Sequence, residues 1–272
     1  MARLPRHPRF PPARVALYAA TVAILATSGA AVAGHPPPLP WAGLALAGYA
    51  TLLLGGVFTL RWRVFVDAVV RGPKGARGVV LTFDDGPDPR YTPRILAALA
   101  KHSARATFFL VGHKVEAHPE VVRAILDAGH AIGLHSYAHD RLFSLRGEAA
   151  VRADLERGQA AIAAVAGAAP VLFRPPIGHT NPRIARAADA LGLTVVGWTV
   201  GARDGLARTR PAEVVSRVRR AARDGAIVLL HDAPERGDRE PAAVKALPAL
   251  LDALATKRLP VVPLSAWLPP TE

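Results

Sequence analysis

The chain has 272 residues, 51% of them hydrophobic and 20% charged, which excludes a disordered or collagen-like polypeptide. It contains no cysteine, so a disulfide scaffold, a thiolate metal site and a cysteine nucleophile are excluded as well. The formal net charge of +13 invites a nucleic-acid reading, but no nucleic-acid motif or aromatic platform accompanies it, and its distribution argues against one.

The first 78 residues hold nine basic groups (Arg3, Arg6, Arg9, Arg14, Arg61, Arg63, Arg71, Lys74 and Arg77) against one acid, Asp67. No charged residue occurs from Val15 to Leu60. The run splits at His35-Pro36-Pro37-Pro38-Leu39-Pro40, where a helix cannot continue. Each half, 15–34 and 41–60, reaches the length of about 20 apolar residues that a membrane span requires. The pattern predicts two transmembrane helices joined by a tight outer loop. Basic residues flank the pair and are absent from the loop, so the positive-inside rule puts both ends in the cytoplasm. Trp41 and Trp62 stand where interfacial aromatics are expected. Competing readings are a signal peptide cleaved at Ala31-Val32-Ala33, or one run lying as an interfacial or buried helix. The expected location is a bacterial-type inner membrane. The expected division is a membrane region over 1–77, ending in the basic linker Gly72–Gly78, and a catalytic domain over 78–272.

From Gly78 onward, short apolar runs alternate with amphipathic segments. Strands are expected at Val79–Phe83, Ala106–Val111, Ala131–Leu134, Val171–Phe173, Thr194–Thr199, Ala226–Leu230 and Leu259–Pro263. Helices are expected at Thr92–Lys101 with Thr92 as cap, Pro119–Ala128, Gly147–Ala166, Pro182–Leu191 capped by Asn181, Pro211–Arg223 and Pro241–Thr256. Such alternation implies an α/β fold with a mainly parallel sheet, closed as a barrel or open, and functional residues at the carboxyl ends of its strands.

Polar groups do stand at those ends. Thr82-Phe83-Asp84-Asp85-Gly86-Pro87 carries two adjacent carboxylates, costly unless a cation or proton shares them. In His135-Ser136-Tyr137-Ala138-His139, a helical turn would put both histidines on one face for a metal. Alone that spacing carries little weight, but Asp85 offers a third hard ligand, leaving open positions for water and substrate. Arg174-Pro175-Pro176-Ile177-Gly178 reads either as a rigid turn with a surface arginine or as a fixed loop that aims Arg174 at a carboxylate and presents a backbone N–H inward. Trp198 through Asp204 and Leu229-Leu230-His231-Asp232 complete the set.

TFDDGP, HSxxH, RPPxG and LLH, in this order, resemble the NodB-homology polysaccharide deacetylases, carbohydrate esterase family 4, over about residues 78–267. The resemblance implies a distorted (β/α)7 barrel. It implies Asp84 as general base, Asp85, His135 and His139 as ligands of a divalent metal (zinc first, cobalt possible), and Arg174 as the arginine that positions the base. His231 matches the general acid and Asp204 the carboxylate paired with it. Leu229 matches the leucine beside the acyl methyl, and the backbone N–H of Ile177 matches an oxyanion donor. Trp198 is expected to contact substrate. The implied reaction is hydrolysis of an N-acyl group, N-acetyl first, from an amino sugar.

Two departures bear on the substrate. Ile177 stands where the family often has Tyr. The D-x-x-D-W segment reads Gly201-Ala202-Arg203-Asp204-Gly205, so the first Asp and the aromatic wall are missing. A long polymer groove is disfavoured, and a smaller or differently shaped substrate becomes the expectation. A cytoplasmic domain would meet lipid-linked or nucleotide-linked sugars; an exported one would meet peptidoglycan or another polysaccharide. Two further classes compete. Two histidines and a carboxylate also serve iron(II) oxygenases. A membrane-anchored sugar-binding protein could keep the fold without catalysis.

Overall fold

The computed structural model describes residues 10–267. Arg3, Arg6 and Arg9, part of the charge bias at the amino terminus, lie outside the described residues. Helix α1 (Pro12–Val32) and helix α2 (Leu39–Phe58) form an antiparallel hairpin. Both are long and apolar enough to cross a membrane. The second begins earlier than expected because Leu39 and Pro40 occupy its first turn, where a missing N–H costs nothing. It also ends earlier, at Phe58, because residues Leu60–Trp62 tighten into a 3₁₀ turn. Apolar side chains such as Val22, Leu25, Leu44 and Leu54 stand exposed along the hairpin. Thr21 donates to Tyr49 across it.

The remainder is a parallel α/β fold with strands β1 (Val79–Asp84), β2 (Thr107–Leu110), β3 (Ala131–Leu134), β4 (Leu172–Phe173), β5 (Thr194–Val195), β6 (Val200–Gly201) and β7 (Ala226–His231). Their order is β5-β4-β3-β2-β1-β7-β6. Central β1 is buried along its whole length, as a strand covered on both faces must be. Helices α3 (Thr92–Lys101), α4 (Gly112–Ala117), α5 (Pro119–Asp127), α6 (Glu148–Ala166), α7 (Pro182–Ala190), α8 (Pro211–Ala221) and α9 (Ala242–Thr256) supply the crossovers and cover. Asn181 caps α7 as expected, accepting from the backbone N–H groups of Arg183 and Ile184. Thr92 is not a cap. It is the first helical residue, and its hydroxyl donates to Asp232 instead.

Seven strands were expected and seven form, but they are not the same seven. The run Thr194–Thr199 breaks after Val195, and β6 begins at Val200 on the opposite edge. The carbonyls of Val196 and Gly197 face the Arg174 guanidinium rather than a strand. The run Leu259–Pro263 makes only a bridge to Val79, through Val79 N–H to Pro260 O and Val262 N–H to Val79 O. Prolines 260 and 263 lack the donors a longer ladder needs.

The β5–β6 break explains the closure. Five residue steps reach at most about 18 Å, whereas the edges of a flat seven-stranded sheet stand roughly 29 Å apart. The sheet must therefore curl into a distorted barrel. Residues 64–70 seal the remaining gap. Val69 donates to Val195 O and accepts from Gly197 N–H, and Val64, Val66, Ala68 and Val70 are buried.

Contacts at both of its ends join the hairpin to the barrel. The last carbonyls of α2 have no intrahelical donor. Thr180 supplies them, with its N–H to Val57 O (3.0 Å) and its hydroxyl to Gly56 O (3.1 Å). At the start of α1, Arg14 bonds the carbonyls of Val64 and Arg63 and pairs with Asp67 at 2.9 Å. Trp62 folds back against Gly55, where no side chain would fit.

Candidate active site

The carboxyl ends of β1, β3, β4 and β7 converge on one cavity of about 210 Å³. Its lining includes Asp84, Asp85, His135, His139, Ile177, Trp198, Leu229 and His231. Arg174 and Asp204 lie buried behind it. Every site residue expected from the sequence is thus gathered at one place, from segments as far apart as Asp84 and His231.

Asp85, His135 and His139 form a tight triangle. The Nε2 atoms of the two histidines are 3.2 Å apart, and Asp85 Oδ1 lies 3.5 Å and 3.1 Å from them. Donors held about 2.05 Å from a tetrahedral ion stand roughly 3.3 Å from each other. His135 Nδ1–H donates to the Arg174 carbonyl at 2.7 Å, so Nε2 is the nitrogen turned toward the triangle. Two imidazole nitrogens and a carboxylate aimed at one point fit a divalent cation. Burial pushes Asp85 up, but the two imidazoles facing it outweigh burial and hold it well below the usual carboxylate range.

The helical turn expected at 135–139 does not form. The segment is a loop in which Ser136 (φ 65°) and His139 (φ 49°) are left-handed. Buried Asp154 of α6 holds it by accepting from the N–H groups of Tyr137 (2.8 Å) and Ala138 (3.2 Å). Asp85 (φ 74°) and Ile177 (φ 58°) are also left-handed. Such backbone costs about 1–2 kcal/mol per residue and persists only where surroundings enforce it. Ile177 is β-branched, which makes it the sharpest outlier of the four. Its N–H has no hydrogen-bond partner among the described residues.

Asp84 is fixed by Arg174. The fully buried guanidinium donates to Asp84 Oδ1 at 2.6 Å and to Thr82 Oγ1 at 2.8 Å, and its other donors reach Val196 O and Gly197 O. Phe109 packs under it at 4.2 Å. The arginine therefore neutralises Asp84 and ties β1 to the β5–β6 break. On the other side, His231 donates Nδ1–H and its backbone N–H to Asp204, at 3.0 Å and 2.8 Å. Burial disfavours the imidazolium, but Asp204 foremost, with Asp85 and Asp84, outweighs it and pushes the His231 pKa up to about 10.

Three supporting groups escaped the sequence reading. Lys114 donates to the backbone carbonyls of Asp85 (2.7 Å) and Pro234 (3.0 Å). Asp232 sits behind Gly86 with its carboxyl bonded to Thr92, and burial pushes its pKa up to about 7. Glu235 lines the cavity and is paired with Arg141. Asp232 directly follows His231, which is the one local signal available; Lys114 lies on α4, a helix too short for its periodicity to register.

Residues 71–196 match the polysaccharide deacetylase family. The chain is 35% identical over 198 residues to a chitooligosaccharide deacetylase of Bradyrhizobium, covering 70% of this chain and 90% of the relative. The structure superposes on a crystallised peptidoglycan N-acetylglucosamine deacetylase with a TM-score of 0.67, 32% identity and coverage of 73% and 91%. A CE4 family pseudoenzyme from Bacillus anthracis gives the same TM-score at 28% identity, covering 74% of this chain and 68% of that one. The chain spans 66% of the length of one peptidoglycan deacetylase of Bacillus cereus and 33% of those of Listeria monocytogenes. Shared sequence over nine-tenths of a curated relative, on the same curled parallel sheet, makes this chain a member of the polysaccharide deacetylase family, carbohydrate esterase family 4.

Proposed function

We propose that the protein is a membrane-anchored, metal-dependent N-deacetylase that removes an N-acyl group, N-acetyl first, from an amino sugar. The observation that carries this reading is the Asp85–His135–His139 triangle with Asp84 on one side and His231 on the other. The triangle would hold a divalent metal, zinc first, which when bound supplies an acidified water and polarises the amide carbonyl.

The chain's own groups do the rest. Asp84, held in place by Arg174, takes the proton of the attacking water. The Ile177 N–H, unpartnered among the described residues, donates to the oxygen on which negative charge develops, and the enforced left-handed turn at Ile177 keeps it oriented beforehand. His231, protonated through Asp204, hands a proton to the departing amine, which otherwise leaves very poorly. Leu229 forms an apolar wall for the acyl methyl, and Trp198 a wall for the sugar.

The exposed apolar hairpin supports two membrane spans, since water would not tolerate so continuous an apolar surface. Both hairpin ends meet the barrel, so the start of α1 and the domain share one side, and the charge bias of the sequence argues for the cytoplasmic side. A membrane region through residue 77 and a deacetylase unit over 78–272 is the corresponding division, with residues 64–70 packed onto the second part.

The test is acetate release from N-acetylated amino sugars by the full chain in detergent, stripped of metal and reloaded with zinc. Zinc-dependent release without oxygen consumption, abolished by Asp84→Asn, is the expected result. Sugar binding without turnover under every divalent metal would leave a binding protein instead.

A further inference from the structure

Beyond His231 the catalytic cavity widens into a second lobe of about 710 Å³, bounded by the loops after β6 and β7. Four arginines line it: Arg141, Arg203, Arg236 and Arg239. Apart from Asp85 at the metal triangle, the one acid in that lining is Glu235, which is spent on Arg141. Arg239 is held by the carbonyls of Gly205 (2.6 Å) and Leu206 (3.1 Å), which fix the fork without neutralising it. The guanidinium groups of Arg203 and Arg236 make no hydrogen bond or ion pair among the described residues, and the acid whose field reaches Arg236, Asp140, is already paired with Arg146. Arg203 also holds a left-handed backbone (φ 59°), with its carbonyl secured by Thr209 at 2.8 Å. Ile177, Trp198 and His231 line both cavities, so the lobe is continuous with the catalytic one, and Gly205 places no side chain beside the His231 ring.

Unneutralised arginine forks gain little from neutral sugar hydroxyls. They match the charge and geometry of phosphate oxygens, which accept two parallel N–H donors. The volume suits a ligand of several groups rather than a lone ion. The position matters too. Ile177 borders both cavities, and Thr180, three residues on, caps α2 where the hairpin meets the barrel.

We propose that this arginine lobe is a phosphate subsite, and that the substrate is an N-acylated amino sugar carrying a phosphate or diphosphate. The inference rests on the deacetylase reading, since it takes the sugar amide to lie at the metal triangle and the sugar's phosphate-bearing end to lie in the lobe. The phosphate belongs either to a lipid-linked sugar presented by the bilayer or to a nucleotide-linked one from solution.

Two measurements on the full chain test it. First, pyrophosphate binding to the metal-stripped protein is followed by calorimetry, for the wild type and for the Arg203→Gln/Arg236→Gln double variant. Both side chains are exposed, so an unchanged melting temperature is expected. Saturable binding that weakens on the order of tenfold or more in the variant is the expected result; no binding, or equal binding by both proteins, overturns the proposal even if no turnover is ever detected. Second, deacetylation of the zinc-loaded protein is compared on a polyprenyl-diphosphate amino sugar in mixed micelles, a nucleotide-linked amino sugar and a neutral chito-oligosaccharide. The variant should lose at least about tenfold more kcat/KM on a phosphorylated substrate than on the neutral one. Equal losses overturn the subsite while leaving the deacetylase reading intact. Whichever phosphorylated substrate shows the selective loss identifies the source, membrane or solution.

Discussion

Asp84 and His231 are register partners at the ends of β1 and β7, paired in parallel and side by side. Partners in a parallel pair project to the same face, so the proposed base and acid flank one cavity by virtue of strand register alone. Arg174 approaches the pair from the β4 side and Asp204 from the β6 side. The first prediction concerns the base. Asp84→Asn should lower kcat by about 10²–10⁴-fold, the usual worth of a general base. Zinc content, read by elemental analysis, should stay near one per chain, because Asp84 is outside the ligand triangle. Loss of both together would mean that Asp84 is a ligand.

Arg174 should be a stability residue as much as a positioning one. It is fully buried and donates to four acceptors. Arg174→Met leaves a buried carboxylate without its counter-charge, a loss of roughly 3–5 kcal/mol. A large fall in melting temperature is expected. Asp84→Asn should restore part of it in the double variant, and strictly additive losses would argue against coupling.

Metal removal and ligand substitution should converge. Zinc at a thousand times its dissociation constant raises stability by about 4 kcal/mol. That increment should vanish in His139→Ala, read against the variant's own metal-free melt, which should itself be lower because buried Asp85 loses a partner. A zinc-induced rise of equal size in the variant would place the metal elsewhere.

The acid should reveal itself in pH dependence. The kcat/KM should fall on the alkaline side as His231 loses its proton, with the limb below about 10, since a bound cation repels that proton. In Asp204→Asn the limb should move toward lower pH. Asp204 accepts two N–H donors, and an amide can accept from only one of them without opposing a donor to a donor. The folded-state pKa of His231 is raised above its ordinary 6.5. Its stabilising contribution is therefore complete below that value and lost as pH rises through about 10. Thermal melts across this window should fall more steeply for the wild type than for Asp204→Asn.

Topology is a separate prediction. A reporter fused to the carboxyl terminus should be active in its cytoplasmic form and silent in its exported form. The opposite result would sink the two-span arrangement and make peptidoglycan or another exported polysaccharide the first substrate to test.

Much of the site was legible because it is local and polar. Asp84, Asp85, His135, His139, Arg174 and His231 stand where apolar runs stop, and a parallel sheet can only bring such ends to one face. The apolar hairpin was legible for the same reason, since an uncharged run of that length has few ways to hide in water. Strand β6 was not legible as a strand of its own. Leu259–Pro263 has strand composition, but its prolines cannot build a ladder, and only the folded chain shows that two residues after a break, Val200 and Gly201, take the far edge. Nor could spacing reveal that the His135–His139 segment is a strained loop rather than a helical turn, because Asp154, fifteen residues beyond His139, imposes that geometry. Lys114, Asp232 and the arginine lobe were equally hidden. Their roles depend on which distant backbone or cavity they face, and that is decided by the curl of the sheet, which follows from the short β5–β6 connection. The sequence by itself determined which groups exist and the strand ends they occupy; tertiary structure decided their distances, their charges and what surrounds them, because those arise from contacts between segments far apart in the chain.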